Sequence, residues 1–276
     1  MSHILSVQDI SCLGKCSLTV ALPVLSAMGC SCSVLPTAVL STHTAFPNPY
    51  VRELTGDMEP VIAHWKTIGA AFDAVLVGYL SDPAQVRAVE TLWSSFDALR
   101  ILDPAMGDHG KLYSRITEAH VAAIRSLCDK ADLLIPNVTE ACLLTGTPYR
   151  ESFTEAQYRQ LLQSLDCKQA VLTGVSLSPG KTGFMTGDGY IYQADTLPGK
   201  YHGTGDLFAA VCTGAFMQGK ALQEAATQAA GFVEQAIKAT GASSPFGLSF
   251  ESLLPALSRN SSGCIIQKNS SPEDTI

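Results

Sequence analysis

Six short runs rich in apolar residues alternate with stretches of helical periodicity, and this constrains the chain more than any other feature. They are HILSVQD (3–9), CSVLPTAVL (32–40), AVLVGYL (74–80), ALRILDP (98–104), ADLLIPN (131–137) and QAVLTG (169–174). A run such as AVLVGYL is what a parallel strand buried on both faces requires. Helices are predicted at 18–28, 58–72, 83–96 (with Pro83 near the first turn), 116–131, 139–146 (closed by Gly146) and 154–165. Residues 182–197 read as a hairpin around Gly187-Asp188-Gly189, and two further helices follow at 205–219 and 222–240. Tyr50 to Gly56 reads as connective, and residues 259–276 lack periodicity and read as a frayed tail. The expected fold is α/β. A single domain over 1–258 would carry a central, mostly parallel sheet between two helix layers.

Composition narrows the function. Residues that are 46% hydrophobic and 16% charged supply a large core, and a net charge of −7 without any dense Lys/Arg run argues against a nucleic-acid partner. The expected partner is a small molecule. No formal charge occurs between Lys15 and His43, but Pro23, Gly29, Pro36 and several serines interrupt that stretch, and Asp9 stands in its flank. It reads as buried helix and strand, not as a leader or a membrane span. Nine cysteines include no CxxC pair, so they read as thiols of a reducing, cytoplasmic protein.

In open α/β sheets, ligands bind beyond the carboxyl ends of the strands. There the chain places Gln8-Asp9, Ser41-Thr42-His43-Thr44, Gly78-Tyr79, Asp103-Pro104, Pro136-Asn137, Thr173-Gly174 and Gly203–Asp206. The motif His202-Gly203-Thr204-Gly205-Asp206 precedes the apolar helix LFAAVCTGAF. Its glycines permit a tight turn, and the unpaired amides at the helix start attract a phosphoryl oxygen. Asp206 either caps that helix or accepts a proton from a hydroxyl attacking phosphorus. Asp103 and Asp108 bracket Gly107 and suit Mg²⁺ held through water, or are solvated turn residues. Asn137 and Glu140 are a second amide and carboxylate at a helix start, or a plain capping pair. The Gly174–Thr182 segment is no P-loop, because five residues separate its glycines and a hairpin follows. Phe208 stands where a dinucleotide fingerprint needs its third glycine.

Taken in order, ILSVQD, VLSTHT (39–44), VGYL (77–80), LDPAMGD (102–108), PNVTE (136–140) and GTGD (203–206) resemble the vitamin B6 kinases of the ribokinase-like superfamily, over about residues 3–258. The resemblance implies a ribokinase-like domain that transfers the γ-phosphoryl group of ATP to the 5′-hydroxymethyl of pyridoxal, pyridoxamine or pyridoxine. Mg²⁺, a monovalent cation (K⁺ or Na⁺) and a homodimer come with it. By the same resemblance Asp206 is the base, and the Gly203, Thr204 and Gly205 amides form the anion hole. Asp103, Asp108 and Glu140 surround the metal, mostly through water, while Asn137, Thr173 and Asp103 serve ATP. Residues 107–113 are implied to be a mobile flap, in which Lys111 either meets phosphate or stays solvated. Thr44 and Tyr79 are implied to line the pyridine site with His43 near them, and Cys16 to meet the aldehyde of pyridoxal or simply to pack.

Asp9 departs from the serine many members carry there, and a carboxylate favours a protonated ring nitrogen or the pyridoxamine amine. A preference for the more cationic vitamer is therefore expected. Among alternatives, hydroxymethylpyrimidine kinases tend to carry cysteine where this chain has Asp206, and sugar or nucleoside kinases usually need an inserted lid. A non-catalytic vitamer-binding protein would have no use for an acid beside an anion hole.

Overall fold

The computed structural model describes residues 1–258, so the tail expected at 259–276 lies outside the described residues. In chain order the elements begin β1 (His3–Leu13), α1 (Leu18–Ala27), β2 (Ser31–Thr42), β3 (Val51–Glu53), α2 (Thr55–Thr67), β4 (Ala74–Val77), α3 (Gln85–Ser95) and β5 (Leu99–Leu102). A two-residue pair follows, β6 (Gly107–Asp108) and β7 (Lys111–Leu112), then α4 (Glu118–Cys128), β8 (Leu133–Leu134), α5 (Val138–Thr145) and α6 (Glu155–Gln163). The chain continues through β9 (Val171–Val175), β10 (Lys181–Thr186), β11 (Ile191–Asp195), α7 (Thr204–Met217) and α8 (Leu222–Thr240) to a 3₁₀ turn at Glu251–Leu257. No helix among the described residues is long and apolar enough to cross a membrane.

The main sheet runs β3-β2-β1-β4-β5-β8, with every pairing parallel except β2 with β3. Parallel bridges Leu134↔Ala170 and Asn137↔Thr173 carry the sheet on to β9, where β10 and β11 add antiparallel. Alternate strand residues feed two cores. Leu5, Val7, Val75 and Val77 meet Met58, Ile62, Val89, Trp93 and Ile124, which puts α2, α3 and α4 on one face. Ile4, Ala74 and Leu76 meet Val24, Leu25, Leu207, Val211 and Phe232, which puts α1, α7 and α8 on the other. Because both faces are covered, period-two alternation vanishes from the sequence and the strands read as apolar runs.

Three expectations are corrected. The 50–56 segment holds edge strand β3, which at three residues is too short to show a pattern. β1 runs past residue 9 to Leu13, its pairing with β2 shifting between Gln8 and Ile10 before it resumes. The helix expected to reach 72 stops at Thr67, followed by Gly69 at φ 67, a left-handed exit open to glycine. Gly183 marks a second irregularity, where β10 shifts register against β9 and a Cβ would overlap the Tyr192 carbonyl oxygen. Gly183→Ala is expected to push β11 away and cost about 1–3 kcal/mol, read as a lower thermal unfolding midpoint.

Candidate active site

The carboxyl ends of β1, β4, β5 and β9, the start of α5 and the start of α7 converge on one cleft of about 770 Å³. At its floor Gly203 precedes α7 at φ 79, and a Cβ there would collide with the Lys15 carbonyl oxygen. Glycine is therefore required on two counts. The first intrahelical bond runs from the Leu207 amide to the Gly203 carbonyl at 3.0 Å, so the amides of Thr204, Gly205 and Asp206 have no partner inside the helix. All four residues line the cleft. Burial pushes the Asp206 carboxyl up to about 6; the Ser17 amide opposes that shift and the charge of Asp9 adds to it.

One wall is built by β1, the end of β2 and the turn after β4. Asp9 is 3% exposed and accepts the Ser11 hydroxyl at 3.0 Å, and no ion pair among the described residues includes it. Burial raises its carboxyl, while the hydroxyls of Ser17 and Ser11 and the charge of His43 pull the other way. The Tyr79 hydroxyl is buried without a hydrogen-bond partner among the described residues. Arg115, whose charge reaches it, is held by Glu53 at 3.1 Å. Thr44 lines the same wall, its carbonyl accepting the Ser114 hydroxyl at 3.0 Å. His43 places Nε2 2.7 Å from the Pro245 carbonyl and packs its ring, tilted, against Phe46 and His202, with centroids at 4.8 and 4.6 Å. Cys16 is buried there too, and burial together with Asp206 and Asp9 holds its thiol well above the ordinary range. A thiol so protonated is a poor nucleophile, which favours packing over reaction with an aldehyde.

The opposite wall gathers Asp103, Asp108, Asn137, Glu140 and Thr173. The capping reading of Asn137 and Glu140 holds: the Asn137 side chain accepts the Glu140 amide at 3.0 Å, and Glu140 accepts the Asn137 amide at 2.8 Å. Its other oxygen takes the Met106 amide at 3.1 Å, so Glu140 clamps the loop after β5 to α5. Burial pushes Glu140 up to about 7, and burial beside Glu140 and Asp206 raises Asp103 well above the usual carboxylate range. No group of three or more His, Cys, Asp or Glu among the described residues closes around a point fit for a metal. Mg²⁺ characteristically keeps several waters and takes one or two carboxylates plus phosphate oxygens, and the Asp103, Asp108 and Glu140 set suits that mode.

The 107–113 segment, expected as a mobile flap, is the β6–β7 hairpin tied to α5. The Gly110 amide donates to Thr139 Oγ1 at 2.9 Å, and Asn137 Nδ2 donates to the Gly107 carbonyl at 2.8 Å. Lys111 sits on it, exposed and outside the cleft lining. Sequence reasoning misses Ser11, Ser17 and Lys200. Ser11, two residues after Asp9, shares its strand face and is findable by that spacing. Among the described residues that line the cleft Lys200 carries the only fixed positive charge, against five carboxylates, and nothing in its neighbours' pattern marks it.

Several known proteins are similar to this chain. The phosphomethylpyrimidine kinase family matches residues 22–247. A solved protein of Bacteroides thetaiotaomicron, in its form with pyridoxal, superposes with a TM-score of 0.88 at 36% identity, covering 93% of this chain and 95% of that one. Pyridoxal kinase of Lactobacillus plantarum gives 0.85 at 34% identity, with 93% and 96% covered. Pyridoxal kinase of Leishmania donovani, in complex with ADP and pyridoxamine, gives 0.80 at 25% identity, again covering 93% and 96%.

Proposed function

Because this chain belongs to the phosphomethylpyrimidine kinase family, we propose that it is an ATP-dependent B6 vitamer kinase, acting on the 5′-hydroxymethyl of pyridoxal, pyridoxamine or pyridoxine. One placement carries the reading: Asp206 stands among helix-start amides that no intrahelical bond uses, between a wall suited to a polar ring and a wall of carboxylates. Relatives solved with pyridoxal, and with ADP and pyridoxamine, support it.

In this reading the vitamer ring lies against Asp9, Thr44 and Tyr79, with its 5′-hydroxyl toward Asp206. The Asp206 carboxylate takes the hydroxyl proton as the oxygen attacks the γ-phosphorus, and the bond to the leaving ADP oxygen breaks. The amides of Gly203, Thr204 and Gly205, with that of Asp206 beside them, hold the phosphoryl oxygens throughout, on the turn that Gly203 makes. Asn137 and Thr173 face the nucleotide. Asp103, Asp108 and Glu140 would hold the waters of Mg²⁺, which when bound neutralises phosphate charge in a cleft of five carboxylates and one lysine. The resemblance also carries a cytoplasmic homodimer, which sedimentation velocity tests for oligomeric state.

The testing experiment is ADP formation from ATP and Mg²⁺ with the three vitamers and with hydroxymethylpyrimidine. Turnover of the pyrimidine alone would replace this reading with the thiamine-precursor kinase suggested by the family's name. Vitamer binding without ADP formation would replace it with a carrier. The same panel measures the reach of Asp9. With a buried carboxylate lacking a cation, the native protein is expected to favour the vitamer that brings one, and Asp9→Ser to lose about 10-fold in kcat/KM for pyridoxamine relative to pyridoxine. An unchanged vitamer order in the variant would discard that role.

A further inference from the structure

Among the described residues three non-glycine residues have positive φ: Ser17, Asn48 and His109. Asn48 and His109 are exposed turn residues, of types that tolerate the left-handed region. Ser17 is different, being 5% exposed and part of the cleft wall. Its φ of 53 comes with ψ −125, outside the small left-handed well open to side-chain-bearing residues. It is the N-cap of α1, yet its side chain makes no capping hydrogen bond, although serine is favoured at that position for such a bond.

The surroundings hold the conformation in place. Ser17 bridges to Ile10, and its carbonyl already accepts the Val20 and Ala21 amides at 3.0 and 2.9 Å. The preceding loop is locked as well: the Lys15 amide donates to the Phe246 carbonyl at 2.8 Å, and the Lys15 carbonyl fills the space beside Gly203. What this backbone achieves is orientation. It brings Ser17 into the cleft wall with both buried acids, next to Asp9 through the Ile10 bridge, where its amide opposes the effect of burial on Asp206 and its hydroxyl, unused in capping, opposes that effect on Asp9. A strained residue that persists in a site, over-determined by its neighbours, points to function there.

We propose that Ser17 is a positioning residue, whose amide orients Asp206 and whose hydroxyl orients Asp9, and that its positive-φ backbone is what lets it do both. This rests on Asp206 as base and Asp9 as ring contact, and adds the residue that sets their mutual placement.

Three variants separate its two arms. Ser17→Gly and Ser17→Ala keep the amide and remove the hydroxyl, whereas Ser17→Val, β-branched, cannot hold φ 53 and withdraws the amide. In both Gly and Ala variants the KM for vitamer is expected to rise about 5-fold, with KM for ATP unchanged and kcat within about 3-fold of native. The Gly variant is expected to melt above the Ala variant, so affinity is lost without loss of fold. In the Val variant kcat is expected to fall by about 100-fold. A vitamer KM unmoved in both Gly and Ala variants overturns the hydroxyl arm. A folded Val variant with the kcat of the Gly variant overturns the amide arm. If the Val variant does not fold, a double-mutant cycle of Ser17→Ala with Asp9→Asn decides, and additivity of the two changes overturns the inference. Native activity in the same assay separates the two levels: an active native enzyme whose Ser17 variants keep its KM and kcat sinks this inference alone, and an inactive native enzyme sinks the kinase reading with it.

Discussion

Asp206→Ala is expected to lower kcat by about 10²–10⁴, the usual worth of a general base, while ATP still binds. Asp206 is the one carboxylate on the first turn of α7, beside the helix-start amides. Without it nothing at that point accepts the hydroxyl proton, yet the glycine turn and the opposite wall remain intact. ADP formation and nucleotide titration, run side by side, distinguish loss of chemistry from loss of binding. The pH dependence carries the same information. Burial raises the Asp206 carboxyl to about 6, and only the ionised form accepts a proton. The kcat/KM of the native enzyme is therefore expected to fall as the pH drops through about 6, and the residual activity of the Ala variant to lack that limb. Equal rates in the two proteins would end the assignment of Asp206 as base.

Gly203→Ala is expected to be nearly as damaging, through the backbone. At φ 79 a side chain is strained, and its Cβ would meet the carbonyl of Lys15, a residue whose amide is held by the Phe246 carbonyl at 2.8 Å. The strain alone costs about 1–3 kcal/mol. Relaxing it rotates the amides of residues 204–206 away from the phosphoryl group, and losing one such donor typically costs about 10²–10³ in kcat. Gly205→Ala supplies the comparison. A Cβ at Gly205 meets nothing within 4 Å, so this variant should fold like the native chain, and any lost turnover reports the space the phosphate needs. A Gly203→Ala protein with native kcat would show that the turn does not hold the transferred group.

Much of the fold and of the site is legible in the sequence, for identifiable reasons. Burial on both faces forces runs such as AVLVGYL, and these mark the main strands. The turn at Gly203 is visible because only glycine serves there, and the Asn137–Glu140 capping box because its spacing is local. Weaker signals fail where the element is too short to have a period. The three-residue β3 and the two-residue β6 and β7 give no alternation to read. The end of α2 is misplaced because Gly69-Ala70-Ala71-Phe72 continues an apolar face that the backbone does not follow.

The chain alone thus determined the layer order, the strands that meet at the rim and the glycine turn that opens α7, because each depends on neighbours along the backbone. Only the tertiary structure decided which rim groups face one another. It brought Ser17 into one cleft with Asp206, left the Tyr79 hydroxyl without a hydrogen-bond partner among the described residues and gave the second oxygen of Glu140 to the Met106 amide. Those placements join residues from the start of α1, the turn after β4, the loop after β5, α5 and α7, and the electrostatics of a buried acid depend on distances that no spacing along one strand encodes.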